Sequence, residues 1–245
     1  LDGVDLSDIM DEETCSLSVT DSVDVIMQTL SGLQAAHELS IVHRDLKPSN
    51  LFVVRKSSGM LRIKILDFGI SKVLDDDSEG LKAGATTSTN AVLGTPRYMS
   101  PEQIGSAKDV DGRSDLWAIG LILYELLTWR YPFEGDNAGA ILSKILTGPI
   151  PSICEHNNQV PRELVSVVFA CLERDRDRRV ATAGDLMAAL APFASPRMQA
   201  LAPAGYQAPD LSGSTGEAPI PQAPGADESS RYELASTQGP MSETA

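Results

Sequence analysis

The chain has 245 residues, with 20 Lys and Arg against 34 Asp and Glu and a formal charge of −14. So acidic a balance argues against a nucleic-acid binder, because phosphate backbones select basic faces, and against docking on an anionic membrane surface. The three cysteines, Cys15, Cys154 and Cys171, are widely spaced and form no C-x-x-C pair, which disfavours a disulfide framework or a cysteine zinc site and makes a reducing cytoplasm the simplest setting.

Leu1 to Asp24 carries eight acidic residues and no Lys or Arg, the reverse of a signal peptide's basic start. Asp21 reads as a helix N-cap, and Val23, Ile26, Leu30 and Leu33 recur at helical spacing, which predicts a helix from about Ser22 to Leu39. From Leu51 the period changes. Leu51-Phe52-Val53-Val54 and Leu61-Arg62-Ile63-Lys64-Ile65-Leu66 flank Ser57-Ser58-Gly59, so the pair is predicted to form a β-hairpin. Beyond Ser114 the pattern is helical, near Asp115–Thr128, Asn137–Thr147, Arg162–Cys171 and Ala183–Leu190, with breaks at Pro149, Pro151 and Pro161. The longest apolar stretch, Leu116 to Leu127, is too short to span a bilayer and carries Glu125, so no membrane segment is expected. Residues 192–245 hold eight of the 15 prolines, two basic residues and six acidic ones. Without apolar periodicity such a segment buries too little surface to offset its ordering entropy, and a disordered Pro/Ala/Ser-rich linker is expected there. Residues 1–191 are expected to form one α+β unit, mainly α with a small β-hairpin.

Three segments carry the chemistry. His43-Arg44-Asp45-Leu46-Lys47-Pro48-Ser49-Asn50 lies between the long helix and the hairpin, and Asp67-Phe68-Gly69 ends the hairpin. Gly94-Thr95-Pro96-Arg97-Tyr98-Met99-Ser100-Pro101-Glu102 follows. Asp45, Asn50 and Asp67 fall at the two ends of one hairpin, so folding brings three oxygen ligands together. A small set of hard oxygen donors suits Mg²⁺ rather than zinc. Lys47 lies two residues from Asp45, so in an extended loop both side chains point the same way. A carboxylate that accepts a hydroxyl proton beside an ammonium that holds a phosphate is an arrangement for phosphoryl transfer. Singly, a His-Arg-Asp or an Asp-Phe-Gly is an ordinary loop sequence. Their order and placement together carry the signal.

On these segments residues 1–191 resemble the C-terminal lobe of a Ser/Thr protein kinase, of the eukaryotic-like type found in bacteria. The resemblance implies phosphoryl transfer from ATP to a protein Ser/Thr hydroxyl in signal transduction, with ATP and Mg²⁺ as cofactors and a protein as substrate. It makes Asp45 the base that orients the substrate hydroxyl and Lys47 the residue that steadies the transferred phosphate. Asn50 and Asp67 would hold Mg²⁺. Lys47 and the Gly94-Thr95 pair are similar to those of Ser/Thr-specific members, with Thr95 expected to hydrogen-bond near Asp45 and Lys47. His43, Phe68 and Gly69 become scaffold residues, Glu102 is expected to pair with Arg179, and Asp115 is expected to brace the catalytic loop. Trp117 reads as plain core. Arg44 before Asp45 goes with control by activation-loop phosphorylation, for which Thr86, Thr87, Ser88 and Thr89 are the candidate positions.

No G-x-G-x-x-G occurs in the chain and its first Lys is Lys47, so the family's glycine-rich loop and nucleotide-anchoring Lys have no candidate here. The chain therefore reads as an N-terminally truncated catalytic domain, a fragment expected to have little activity and weak Mg-ATP binding alone. The alternative is a non-catalytic half-kinase that binds a partner or substrate, against which the intact Asp45, Asn50 and Asp67 stand. Residues 1–43 carry nine acidic residues and no Lys or Arg, and residues 192–245 a net −4. The catalytic stretch between is nearly neutral, so the overall acidity says little about its chemistry.

Overall fold

The structure, a computed structural model, describes residues 3–11, 17–55, 61–68, 96–105 and 110–203. Gly69, Thr86, Thr87, Ser88, Thr89, Thr95 and the chain from 204 onward lie outside the described residues.

The chain opens with strand β1 (Val4–Asp5) and helix α1 (Leu6–Asp11), and continues into the long helix α2 (Val19–Glu38). The N-cap of α2 is Ser18, not Asp21: the Ser18 hydroxyl accepts the Asp21 amide at 3.0 Å and donates to the Asp21 carboxylate at 2.6 Å. Asp21 thus stands three residues into a capping box, where a carboxylate answers the cap rather than making it. The helix buries Val23, Ile26, Met27, Leu30 and Leu33. Its end is a Schellman turn: left-handed Ser40 (φ 61°) donates to the His37 carbonyl and Ile41 to that of Ala36. That turn delivers the chain directly into the His43–Asn50 loop.

Strands β2 (Leu51–Arg55) and β3 (Leu61–Ile65) pair antiparallel, with Leu51 opposite Ile65 and Val53 opposite Ile63. The hairpin is not alone: β1 pairs with β2, giving a three-stranded antiparallel sheet in the order β1-β2-β3. A two-residue strand carries no alternation from which to read it.

The core is built around the helix Gly112–Thr128, in which every residue from Ser114 to Thr128 is buried. Asp111 caps it by accepting the Arg113 amide at 2.9 Å. Such a helix, apolar on all sides, needs neighbours all round. They are α2 and the helices Ile153–His156 and Arg162–Cys171. Trp117 is buried and stacks parallel to Phe133, ring centroids 6.3 Å apart. The helices Ala138–Thr147, Arg162–Cys171 and Ala183–Leu190 lie where the apolar period places them, with Asn137 as the cap rather than the first residue of its helix.

The described residues continue past 191. Ala191–Phe193 forms a 3-10 turn and Pro196–Gln199 a short helix. The Ser195 amide donates to Asp24 at 2.8 Å, and Met198 is buried. Two or three anchors suffice to dock a short segment but leave no period in the sequence. Among the described residues, no helix is long and apolar enough to cross a membrane.

Gly120 marks a close approach of the central helix to the end of the helix Arg162–Cys171. A Cβ there would lie 2.7 Å from Cys171 Cβ and 3.0 Å from Leu172 Cδ2. Gly120→Ala is therefore expected to push the two helices apart and destabilise the protein by about 1–3 kcal/mol. Gly105→Ala, where a Cβ meets nothing within 4 Å, is expected to cause no loss. Urea unfolding of the two variants checks this; equal midpoints would show that the crossing relaxes freely.

Candidate active site

Asp115 enters in the first turn of the central helix, 1% exposed. Its Oδ1 accepts the Arg44 amide at 2.9 Å, and its Oδ2 accepts the His43 amide at 2.9 Å and the His37 ring Nε2 at 2.8 Å. A buried carboxylate is stable only with such partners. The loop it holds is unusual, because Arg44 is left-handed (φ 63°). For a residue with a Cβ that conformation costs roughly 1–2 kcal/mol and persists only where the surroundings fix it. Its amide is held by Asp115, and its carbonyl accepts from Gln103 Nε2 at 2.7 Å.

His43 is fully buried. Its Nε2 meets the Leu66 carbonyl at 2.9 Å and its Nδ1 meets the Asp45 amide at 3.4 Å, contacts that the tautomer protonated on Nε2 satisfies together. Phe68 packs on the same ring, centroids 4.9 Å apart. His43 thus ties the loop to the far end of the hairpin.

The hairpin register finishes the arrangement. Asn50 Nδ2 donates to the Asp45 carbonyl at 2.8 Å, and the Asn50 carbonyl accepts the Leu66 amide at 2.8 Å. Asp67, exposed and left-handed (φ 49°), follows directly. Lys47, in extended backbone, reaches Asp45 Oδ2 at 2.9 Å, with the two side chains 31% and 36% exposed. Exposed to this degree, the pair adds little to stability. Among the described residues no group of three His, Cys, Asp or Glu could hold a metal. The donor chemistry that suits Mg²⁺ is sparser: the Asn50 Oδ1 left by the bond to Asp45 and the Asp67 carboxylate are both hard oxygens.

Opposite the loop, the segment Pro96–Tyr98 forms a 3-10 turn leading to buried Ser100 and the helix Pro101–Gly105. Arg44, Asp45, Lys47, Pro96, Tyr98 and Gln103 line a cleft between the two. The Tyr98 hydroxyl donates to Glu125 at 2.6 Å, the Tyr131 hydroxyl donates to the Arg97 carbonyl, and the Arg97 guanidinium lies 4.1 Å from the Tyr131 ring centroid. Burial pushes the Glu125 carboxyl above its ordinary value, and the Tyr98 bond and Arg97 charge offset that only in part.

Glu102 behaves oppositely. Burial would raise its pKa, but the hydrogen bonds and charge of Arg179, with the Ser114 hydroxyl, hold it below the ordinary value. The pair is bidentate, at 2.7 and 2.9 Å, and the Arg179 side chain is wholly buried. Arg179 also donates to the carbonyls of Glu173 and Arg113 and lies 5.3 Å from the Trp117 ring.

Sequence reasoning missed His37, Gln103 and the Tyr98–Glu125 pair. His37 reads as one more residue of a helical turn, and Gln103 as one more residue after a motif. Only the crossing of separate elements gives them partners.

The protein kinase domain family matches residues 1–190. The chain is 39% identical over 188 residues to a probable serine/threonine-protein kinase PknB of Lactococcus lactis, covering 76% of this chain and 28% of that protein. It is 34% identical over 191 residues to serine/threonine-protein kinase PknB of Mycolicibacterium smegmatis, covering 78% and 29%. It is 40% identical over 160 residues to serine/threonine-protein kinase Pkn1 of Myxococcus xanthus, covering 65% and 22%. The chain thus spans less than a third of the length of these curated relatives.

Removing one partner of the Glu102–Arg179 pair leaves a buried charge uncompensated. Arg179→Met is therefore expected to lose about 3–5 kcal/mol in urea unfolding, and Glu102→Leu with Arg179→Met together less than either alone. Because the folded pKa of Glu102 lies below its unfolded value, the pair's contribution is full above the ordinary carboxylate range, near pH ~4.3, and disappears as pH falls through the folded value. Glu102→Gln should flatten that acid-side loss. Parental stability in Arg179→Met would contradict this reading.

Proposed function

The chain belongs to the protein kinase domain family, and on that premise we propose that it supplies the catalytic-loop lobe of a Ser/Thr protein kinase acting in signalling. The observation that carries the reading is the Asp45 cluster. The Asp45 carboxylate has Lys47 at 2.9 Å, and the Asp45 main-chain carbonyl accepts from Asn50 Nδ2 at 2.8 Å.

In this reading the substrate hydroxyl docks in the cleft against Asp45. The carboxylate orients it and takes its proton as the new O–P bond forms and the bond from the γ-phosphorus to the ADP oxygen breaks. Lys47 transfers its attention from the Asp45 carboxylate to the phosphoryl oxygens, where negative charge is spread in the transition state. Asn50 and Asp67 would hold Mg²⁺, which when bound neutralises charge on the ATP phosphates. The protein's own contribution is position: a loop fixed by Asp115 keeps Asp45 at the angle the reaction needs, and misplacement by about 1 Å can cost on the order of 100-fold. Arg44 would receive a phosphate carried on Thr86, Thr87, Ser88 or Thr89. The partners are ATP and a protein Ser or Thr.

Asp45→Asn removes the proton acceptor while keeping the shape of the side chain. In the full-length protein it is expected to lower kcat for phosphate transfer to protein Ser or Thr by about 10²–10⁴-fold, with little change in thermal stability. Transfer of radiolabelled phosphate from ATP measures it. A variant that retains the parental rate would remove Asp45 from the chemistry and with it this reading.

A further inference from the structure

We propose that Gln103 is a positioning residue for phosphoryl transfer, a carboxamide clamp that fixes the Arg44–Asp45 peptide and ties it to the segment opposite. The inference rests on the kinase reading above.

Each end of the Gln103 side chain is engaged, and on different segments. Nε2 donates to the Arg44 carbonyl at 2.7 Å. Oε1 accepts the Ser100 amide at 2.9 Å and the Ser100 hydroxyl at 3.2 Å. The Ser100 hydroxyl also faces the Gln103 amide at 3.4 Å. Ser100 is fully buried, so its amide has to find a protein partner, and losing that partner costs about 1–3 kcal/mol.

The catalytic weight comes from the peptide on the other side. Left-handed Arg44 joins two peptide units. The first, His43–Arg44, has its N–H on Asp115 at 2.9 Å. The second, Arg44–Asp45, sets the direction in which Asp45 leaves the loop. Its N–H meets His43 Nδ1 at 3.4 Å, and its carbonyl accepts the shorter bond from Gln103 at 2.7 Å. Asp115 therefore holds the unit before Arg44, and Gln103 holds the unit after it.

The clamp stands on firm ground. Its neighbour Glu102 is locked to buried Arg179, so the Gln103 backbone cannot drift to follow the loop. Gln103, Arg44, Asp45, Pro96 and Tyr98 line one cleft. A displacement of the Pro96–Ser100 segment is thus passed by the Gln103 side chain to the peptide that carries Asp45. Only a carboxamide does both tasks at this length: it donates to a carbonyl and accepts from an amide. A carboxylate would keep the bond to Ser100 but set oxygen against the Arg44 oxygen.

Gln103→Glu and Gln103→Leu, made in the full-length protein beside the parent and Asp45→Asn, test this with two readouts. With Mg-ATP and a generic basic protein as substrate, both variants are expected to lower kcat by about tenfold or more while KM for ATP moves less than about twofold. Amide hydrogen exchange in the same proteins is expected to quicken about tenfold at residues 44–47, with residues 116–126 of the central helix unchanged. Parental kcat in Gln103→Glu overturns the proposal, as does parental exchange at 44–47, or a rise in exchange spread evenly over the central helix, which would mean general destabilisation. A parent that transfers no phosphate would strike the kinase reading alone, and the exchange pattern would then decide whether the clamp exists.

Discussion

The carboxylate of Asp115 sits 1% exposed at the start of the central helix and takes three N–H groups, two from the main chain of His43 and Arg44 and one from the His37 ring. A charge so placed is tolerable only when hydrogen-bonded, so the loop must come to it in one conformation. The helix that bears it is buried from Ser114 to Thr128 and cannot yield. An irregular loop with a left-handed Arg44 is thereby given the rigidity of the core. The remaining ties follow outward from that point: His43 to the Leu66 carbonyl, Asn50 to the Asp45 carbonyl, and Lys47 to the Asp45 carboxylate. Local strain is held in place by a satisfied buried acid and placed next to the chemistry.

Three buried or half-buried carboxylates around this loop show how partners decide behaviour. Glu102 has a guanidinium with two parallel hydrogen bonds, and its pKa is held down against burial. Glu125 has a phenol and a more distant cation, and burial prevails. Asp115 has neutral main-chain donors and an imidazole. The first locks the helix Pro101–Gly105 to the core, the second fixes Tyr98 beneath the cleft, and the third sets the loop. Together they hold both walls of the cleft, while the Asp45 and Lys47 side chains stay about a third exposed and Asp67 is exposed.

How much of this could be read in the sequence depended on whether a feature repeats or pairs. Helix α2 was legible because apolar residues recur at 3.6 along it, the central helix because its apolar run is long, and the hairpin because its two runs flank the sequence Ser57-Ser58-Gly59. That hairpin in turn brings Asn50 and Asp67 close, since Leu51 pairs with Ile65. Strand β1, two residues long, and the docked segment around Met198 have too few anchors to show a period. The cap of α2 was misplaced because Ser18 and Asp21 are both good capping residues, and only geometry says which one accepts. His37 and Gln103 were invisible for a different reason. Each is tied to the site by a partner far along the chain, 78 and 59 residues away, and neither has a spacing that announces it.

The most direct test of the Asp115-centred architecture is the turnover of Asp115→Asn in the full-length protein, with its cooperative unfolding measured in parallel. The amide keeps the volume of the side chain but turns an NH₂ group toward one of the N–H donors that now converge there. If the loop takes its shape from that carboxylate, the variant should unfold cooperatively and still lose phosphate transfer by about 100-fold, the scale on which small misplacements act. A folded Asp115→Asn protein that transfers phosphate at the parental rate would contradict it.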